Sequence, residues 1–357
     1  MRILFTIGTL GGGGAERNVS LLANALAKED NQVGVLTTWG DERAYELDSR
    51  IDYMTLVANN HNKYIKFIRQ VYMIRAAIKK YAPDLIISFL SDVNSCVLLR
   101  TRFLKCKVII SERNDPHIDP TINVFRILRK MMYPFADGYV FQTPDARAYF
   151  AKVVEHKPNI VIPNPVRSDL PVHEDNESGI IVTASRLVPQ KNLPMLIEAF
   201  EIVLEKHPDC ELHIFGQGPL EAELQQLICK KKLQDNIKLL GFDKKVCQKM
   251  NEAEIFVLSS NYEGMSNSML EALGMGMPVV VTDCPIGGAR MLIKDGKNGL
   301  LVPVGDKKNM ADAITYLLEN PEKRKEMGNQ AAKVREDNSV ASIIRKWQKF
   351  IETCMER

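Results

Sequence analysis

Four side chains in the second half of this 357-residue chain could act together on one polar ligand. Glu263 and Glu271 lie eight residues apart in Glu263-Gly264-Met265-Ser266-Asn267-Ser268-Met269-Leu270-Glu271-Ala272. Arg186 and Lys191 lie five apart in Ser185-Arg186-Leu187-Val188-Pro189-Gln190-Lys191-Asn192. Carboxylates suit hydroxyls, from which they accept hydrogen bonds. Arginine offers phosphate a planar fork and lysine a point charge. A ligand that presents both hydroxyls and phosphates is a sugar nucleotide.

The elements around these residues read as strand, polar loop, helix, strand. Ile255-Phe256-Val257-Leu258 is a buried strand bounded by Ser259-Ser260-Asn261. A loop carries Tyr262, Glu263 and Gly264. A short helix is expected over 268–273, with Ser266 and Asn267 as N-caps and Gly274 as its stop. Val279-Val280-Val281 is the next strand and Pro285-Ile286-Gly287-Gly288 the next turn. In open parallel sheets the ligand crevice lies at the carboxyl ends of strands. Helix N-termini there supply free N–H groups and a favourable dipole for phosphate.

The Glu263–Ala272 stretch resembles the Glu-x7-Glu motif of retaining glycosyltransferases of family 4, which have the two-domain GT-B fold. The preceding strand, Gly264 beside the first glutamate and Leu270-Glu271-Ala272 at the second carry the likeness. Arg186 and Lys191 resemble the family's Arg-x4-Lys, whose side chains hold the donor diphosphate. The resemblance implies a catalytic set of Glu263, Arg186 and Lys191. It implies that Glu263 contacts the donor sugar, that Glu271 accepts from ribose hydroxyls, and that N–H groups of Gly264, Met265, Ser266 and Asn267 cap the phosphates. Gly216 and Gly218 are expected to leave backbone uncovered beside the nucleotide, and Phe242 to border the base. The activity implied is that of a hexosyl- or N-acetylhexosaminyltransferase.

Gly13-Gly14-Ala15-Glu16-Arg17 is similar to the family's first loop, which faces the cleft between the domains. This puts Gly13 and Gly14 on the donor side and Glu16 on the acceptor side. A dinucleotide fingerprint fails here. Counted from Gly11 its third glycine falls on Glu16, and from Gly12 on Arg17. Where many members carry an acceptor-side histidine, this chain has Ile110-Ser111-Glu112-Arg113-Asn114-Asp115-Pro116. Glu112, Arg113 and Asn114 are therefore the acceptor-side candidates. Where many members carry an acid after the Gly-Gly turn, this chain has Ala289-Arg290-Met291. The chain contains no Asp-x-Asp, so no catalytic metal is expected, and no cofactor beyond the nucleotide-sugar, which is a substrate.

Length predicts two domains, and 45% apolar with 25% charged residues is ordinary for a soluble protein. The first five residues read as a strand, not a signal start, and no apolar run of about 18 residues predicts a spanning helix. Seven cysteines without a Cys-x2-Cys pair fit reduced cytosolic thiols. The expected division is 1–165, an acceptor-side Rossmann-like domain; 166–178, a polar linker; and 179–338, a nucleotide-sugar domain. Residues 339–357 form a helix whose apolar stripe (Ile343, Ile344, Trp347, Phe350, Ile351) suits a return to the first domain. Strand and helix alternate in both halves, which predicts two doubly wound α/β domains with a cleft between them. In the first half, strands are expected at 3–7, 33–38, 85–89, 107–111, 138–142 and 159–162, and helices at 15–28, 63–80 and 119–133. In the second, helices are expected at 193–206, 219–233, 306–318, 321–335 and 340–355.

Charge is uneven. Residues 60–135 hold fourteen Lys and Arg against five acids, among them Lys66, Arg69, Arg126 and Lys130, interleaved with apolar residues such as Tyr64, Ile68 and Phe103. Such a face suits an anionic membrane surface. No recognition module for nucleic acid is visible. The reading is a retaining transferase that uses a UDP-sugar and a saccharide acceptor, expected to be polyprenyl-diphosphate-linked. It would work on the cytosolic face of the cell membrane in capsule or lipopolysaccharide synthesis. The alternatives are a non-transferase sugar-nucleotide enzyme on the same fold, or a catalytically inactive binding protein.

Overall fold

The computed structural model describes residues 1–56 and 63–356, with backbone alone for Lys63 and Tyr64. Residues 60–62 and the side chains of Lys63 and Tyr64, counted above in the basic and apolar set, lie outside the described residues. The chain forms two compact units, Met1–Pro163 with Ile343–Arg357, and Asn164–Ser342.

The first unit is built on seven parallel strands: β1 (Arg2–Ile7), β2 (Gln32–Thr37), β3 (Asp52–Thr55), β4 (Leu85–Phe89), β5 (Lys107–Ser111), β6 (Gly138–Phe141) and β7 (Asn159–Val161). Their order is β3-β2-β1-β4-β5-β6-β7, so the winding reverses between β1 and β4. All of β4 and nearly all of β1 are buried, as expected for a parallel sheet covered on both faces. From Ile343 on, the last helix (Val340–Met355) belongs to this unit. Trp347 is fully buried and stacks on Phe89, with ring centroids 5.8 Å apart. A Cβ at Gly138 would come within 2.6 Å of Cys354 Sγ, so the helix packs on bare backbone there.

The second unit holds six parallel strands: β8 (Ile180–Ala184), β9 (Glu211–Phe215), β10 (Ile237–Gly241), β11 (Ile255–Leu258), β12 (Val279–Thr282) and β13 (Leu300–Val302). The order β10-β9-β8-β11-β12-β13 reverses between β8 and β11. Apolar cores cover both faces, one around Phe200 and Ile214 and the other around Phe256 and Met269.

Several elements differ from expectation for local reasons. The segment 166–178, expected as a linker, is packed on the second unit. Val166 and Leu170 are buried in its core, and the Val166 N–H donates to the Asn338 carbonyl at 2.8 Å. Gly274 does not end the helix that carries Glu271. That helix runs Asn267–Met275, and Gly276, at φ +85°, terminates it. Gly274 is instead the place where Val166 approaches the helix, 2.7 Å from where a Cβ would stand. The helix expected at 119–133 begins at Asn123, because residues up to Asp119 fold into a turn on Asp115 and Pro120 follows. The helix Ser91–Thr101 and strand β3 were not expected. Nearly every residue of that helix is buried, so it has no polar face to give it a period. The stretch 321–335 breaks into Pro321–Ala331 and Val334–Asp337.

Candidate functional site

Three loops at the carboxyl ends of β8, β9 and β11 meet where the second sheet reverses, the position at which open α/β sheets bind ligands. The loop after β8 is zipped to the loop after β9. Ser185 and Leu187 N–H groups donate to the Phe215 and Gln217 carbonyls at 3.0 and 2.9 Å, and Leu220 N–H donates back to the Leu187 carbonyl at 3.1 Å. Gly216 sits at φ +135°, and a Cβ there would collide with the Ser185 carbonyl oxygen; one at Gly218 would collide with that of Leu187. These glycines therefore admit the neighbouring loop. Both glycines are nonetheless part-exposed, so some of their backbone stays open beside that loop.

The loop after β8 is also laced to the loop after β11. Asn261 N–H donates to the Gln190 carbonyl at 2.8 Å, and Gln190 Nε2 to the Tyr262 carbonyl at 2.9 Å. A 3-10 turn over Pro189–Lys191 precedes Asn192, which takes the left-handed conformation that asparagine tolerates. Ser259 Oγ donates to the Lys191 carbonyl at 2.8 Å. The turn aims Lys191 inward, 8% exposed, where its Nζ forms an ion pair with Glu263 Oε1. Ser260 Oγ donates to the same carboxylate oxygen at 3.1 Å. Thr282 Oγ1 and Cys284 Sγ hold the Ser260 carbonyl at 2.7 and 3.3 Å. Burial pushes the Cys284 thiol up to about 12, so it stays protonated and a donor. Arg186 is exposed, and its guanidinium has no partner among the described residues.

The Asn267–Met275 helix opens directly after Glu263 and Gly264. Ser266 is its N-cap and accepts from Met269 N–H at 3.5 Å. That leaves the N–H groups of Asn267 and Ser268 at the helix mouth, without an acceptor among the described residues. Asn164 braces this mouth, with Nδ2 donating to Asn267 Oδ1 at 2.7 Å and the Met265 carbonyl at 3.4 Å. The Met265 side chain is buried core, so only its backbone faces the loop. A Cβ at Gly288 would collide with the Gly264 carbonyl, so the turn after β12 seats against Gly264. Glu271 lies one turn into the helix, where Cys247 Sγ contacts its Oε2 at 3.6 Å. Phe242 follows β10 and is exposed. The second unit thus brings Lys191, Glu263 and a helix N-terminus together. Sequence reasoning missed the supports Ser259, Ser260, Gln190, Asn164 and Thr282. For Ser259 and Ser260 the signal was the polar Ser-Ser-Asn directly after an all-apolar strand; Gln190, Asn164 and Thr282 gave none.

The first unit places its candidates around its own reversal point. Leu90, at the end of β4, takes φ +77°, a strained conformation for leucine. Gly13 is the N-cap of helix Gly14–Ala27, and the Glu16 carboxylate folds back beside it. Glu112 is buried rather than presented at the surface. Its Oε1 accepts from Tyr133 Oη and, at 3.4 Å, from Asn94 Nδ2. Burial raises its pKa to about 7, and the Tyr133 hydrogen bond only partly opposes this. The Arg113 guanidinium lies over Phe89 (4.8 Å) and Trp347 (5.7 Å), and burial pulls its pKa below the usual arginine range. Asn114 Oδ1 accepts from Asp115 N–H at 3.0 Å.

Comparison with known proteins agrees with this geometry. Residues 12–170 match the model of glycosyltransferase family 4, and residues 170–334 that of glycosyl transferases group 1. A Campylobacter jejuni protein is 28% identical over 359 residues, covering 98% of each chain. It is named GalNAc-α-(1→4)-GalNAc-α-(1→3)-diNAcBac-PP-undecaprenol α-1,4-N-acetyl-D-galactosaminyltransferase. The Anabaena protein HepE, solved with UDP and glucose, superposes with a TM-score of 0.83 at 18% identity, over 99% of this chain and 100% of that one. Staphylococcus aureus TarM, solved with UDP among its ligands, superposes with a TM-score of 0.81 at 16% identity, over 98% and 99%. Each half of the chain answers to its own family model and both fold as Rossmann-like units, so the chain belongs to the family 4 glycosyltransferases of GT-B fold.

Proposed function

We propose that the enzyme moves a sugar, with retention of anomeric configuration, from a UDP-sugar to a saccharide carried on polyprenyl diphosphate. It does so at the cytosolic membrane face, in making a bacterial surface polysaccharide. The observation that carries this is the Lys191–Glu263 ion pair beside the mouth of the Asn267–Met275 helix, at the sheet's reversal point. The Campylobacter relative's name, with its polyprenyl-linked acceptor, and the UDP in the two solved structures support the choice of acceptor and donor.

The chemistry follows from charge. Breaking the bond between the sugar C1 and the diphosphate oxygen leaves negative charge on the departing UDP. Lys191, Arg186 and the free helix N–H groups stabilise that charge as it develops. The acceptor oxygen bonds C1 on the face the phosphate leaves, and its proton passes to the phosphate oxygen. Glu263 orients the donor sugar through its hydroxyls, and Glu271 accepts from the ribose. With two cations and a helix N-terminus on the diphosphate, the reaction is metal-independent.

The test is nucleotide release from UDP-, GDP- and ADP-sugars, with and without a polyprenyl-diphosphate-linked saccharide. Acceptor-dependent UDP release, with an α-linked product from an α-linked donor, is expected. Inversion at C1, or no release with any donor, would remove this reading.

A further inference from the structure

Two helices of the first unit turn a stripe of apolar side chains to solvent. In Asn123–Met132 the inward face carries Arg129, whose guanidinium donates to the carbonyls of Asp119 (2.6 Å) and Pro116 (2.8 Å) and to Tyr149 Oη (3.1 Å). The outward face carries Val124, Ile127 and Met131, exposed by 65%, 62% and 58%. That is an i, i+3, i+7 stripe, the spacing of a buried face, turned to solvent. The first half of the helix Lys63–Tyr81 repeats the pattern, with Ile65, Ile68 and Tyr72 exposed at the same spacing and Gln70 buried, while its second half buries Ile74, Ile78 and Tyr81.

The two stripes are neighbours. Phe67, beside Ile68, meets Phe125, beside Val124, edge to face at 5.5 Å. Tyr72 lies under the Arg100 guanidinium (4.4 Å), and Arg75 Nη1 donates to the carbonyls of Arg100 (2.6 Å) and Arg102 (3.0 Å). This clamp holds a turn whose tip is Phe103, 92% exposed at φ +65°, a conformation bulky residues avoid. Arg102 bridges from Phe103 to Phe135, which follows the second helix.

Neither helix contains an aspartate or glutamate, whereas Lys66, Arg69, Lys105 and Lys130 are exposed around the stripes. Arg126 is exposed beside them, with its side chain donating to the Pro120 and Ile118 carbonyls. A second copy of the chain would set this basic rim against itself across a two-fold axis. Five of the seven exposed apolar side chains of the stripes and the turn, Ile65, Ile68, Val124, Ile127 and Met131, are not aromatic and offer nucleic-acid bases no stacking platform, which leaves only Tyr72 and Phe103 for that purpose. An apolar stripe within a cationic rim suits a bilayer of anionic lipid, with the helices lying in the interfacial layer.

We propose that this face seats in the interfacial layer of an anionic bilayer, with Ile68, Tyr72, Val124, Ile127 and Met131 embedded and Phe103 as a wedge. The proposal rests on the membrane location in the function proposed above and adds the elements that hold it. Full-length protein without donor is sedimented with phosphatidylglycerol-rich and with pure phosphatidylcholine vesicles. Binding is expected to the first and to weaken several-fold at high salt. Ile127→Glu and Ile68→Glu each weaken it roughly tenfold or more, because a buried aliphatic becomes a charge in the lipid. Ile127→Trp gains a blue-shifted emission on the anionic vesicles. UDP release with a water-soluble acceptor stays unchanged in these variants.

Absence of vesicle binding, equal binding to both lipids, or indifference to Ile127→Glu would overturn the proposal. So would a solution dimer that Ile127→Glu dissolves. Vesicle binding without release from any sugar nucleotide would sink only the transferase reading. Release without vesicle binding would sink this one together with the membrane location, and leave the transferase reading standing.

Discussion

Lys191 and Glu263, 72 residues apart in sequence, form one ion pair that ties the loops after β8 and β11 together. Both side chains are largely buried, so each charge depends on the other for compensation. In the function proposed above, an incoming diphosphate would offer Lys191 a second anion in competition with Glu263, and a sugar hydroxyl would take the ammonium's place at the carboxylate.

Lys191→Ala is expected to lower kcat by roughly a hundred- to a thousandfold, the loss seen when one fixed donor to developing charge is removed. It also strands Glu263 as a buried, unpaired carboxylate. Pairing it with Glu263→Gln should therefore restore thermal stability without restoring turnover. Wild-type turnover in folded Lys191→Ala would end the assignment of this lysine to the leaving group.

Ser260→Ala removes the hydroxyl that holds Glu263 Oε1. A hydrogen bond of about 1 kcal/mol predicts a stability loss of that order and a fall of about fivefold in kcat/KM. Isothermal titration with UDP alone should be unaffected, because Ser260 braces the sugar side of the pair. A loss of UDP affinity equal to the loss in kcat/KM would mean that Ser260 serves the diphosphate instead.

Gly216→Ala meets two obstacles at once, a left-handed φ and a carbonyl oxygen where the methyl group must go. Strain of roughly 1–3 kcal/mol from the backbone alone, plus displacement of the Ser185 loop, should lower the melting temperature by several degrees. Arg186 and Lys191 move with that loop, so activity falls further than stability. Calorimetry and UDP release on the same preparation test both parts.

Glu112 gives the first unit a pH dependence. Its pKa in the fold, about 7, lies above its ordinary 4.5. The folded state therefore binds the proton more tightly, and the group's contribution is fully present below about pH 4.5. It is lost as pH rises towards 7, by about 3 kcal/mol in all. Glu112→Gln keeps the acceptor for Tyr133 and should flatten this fall. Denaturant unfolding of both proteins from pH 4.5 to 8 measures it; parallel curves would mean that Glu112 ionises freely in the fold.

Activity is expected to survive EDTA, since two cations and a helix N-terminus can meet the diphosphate. Loss on chelation with rescue by Mg²⁺ or Mn²⁺ would instead assign the diphosphate's charge to an ion.

What could be read directly from residues was local. The all-apolar Ile255–Leu258 run, the glutamate spacing and the two cations mark the strand ends that carry the second unit's site. What could not be read depended on contacts across the chain. Ser260 looks like any turn residue until Glu263 folds back on it. Gly274 resembles a helix stop until Val166 is seen against it, while the true stop, Gly276, lies two residues on. The stretch 166–178 is polar in composition, but Val166 and Leu170 decide its place. Glu112 sits where an acceptor residue was expected, and only the tertiary fold shows Tyr133 and Asn94 enclosing it.

The last helix has a consequence for how the protein is made. Trp347 stacks on Phe89, and Phe350 and Cys354 close over Gly138, so the first unit's core draws on residues that are translated after the whole second unit. On the ribosome, residues 1–163 emerge with an uncovered apolar patch around Phe89, and they hold it exposed while about 180 further residues are synthesised at roughly 5–20 per second. For that interval of some ten seconds or more the nascent first unit lacks the helix that covers this part of its core in the finished fold. A ribosome stalled before residue 343 would release a well-folded second unit attached to an unfinished first one.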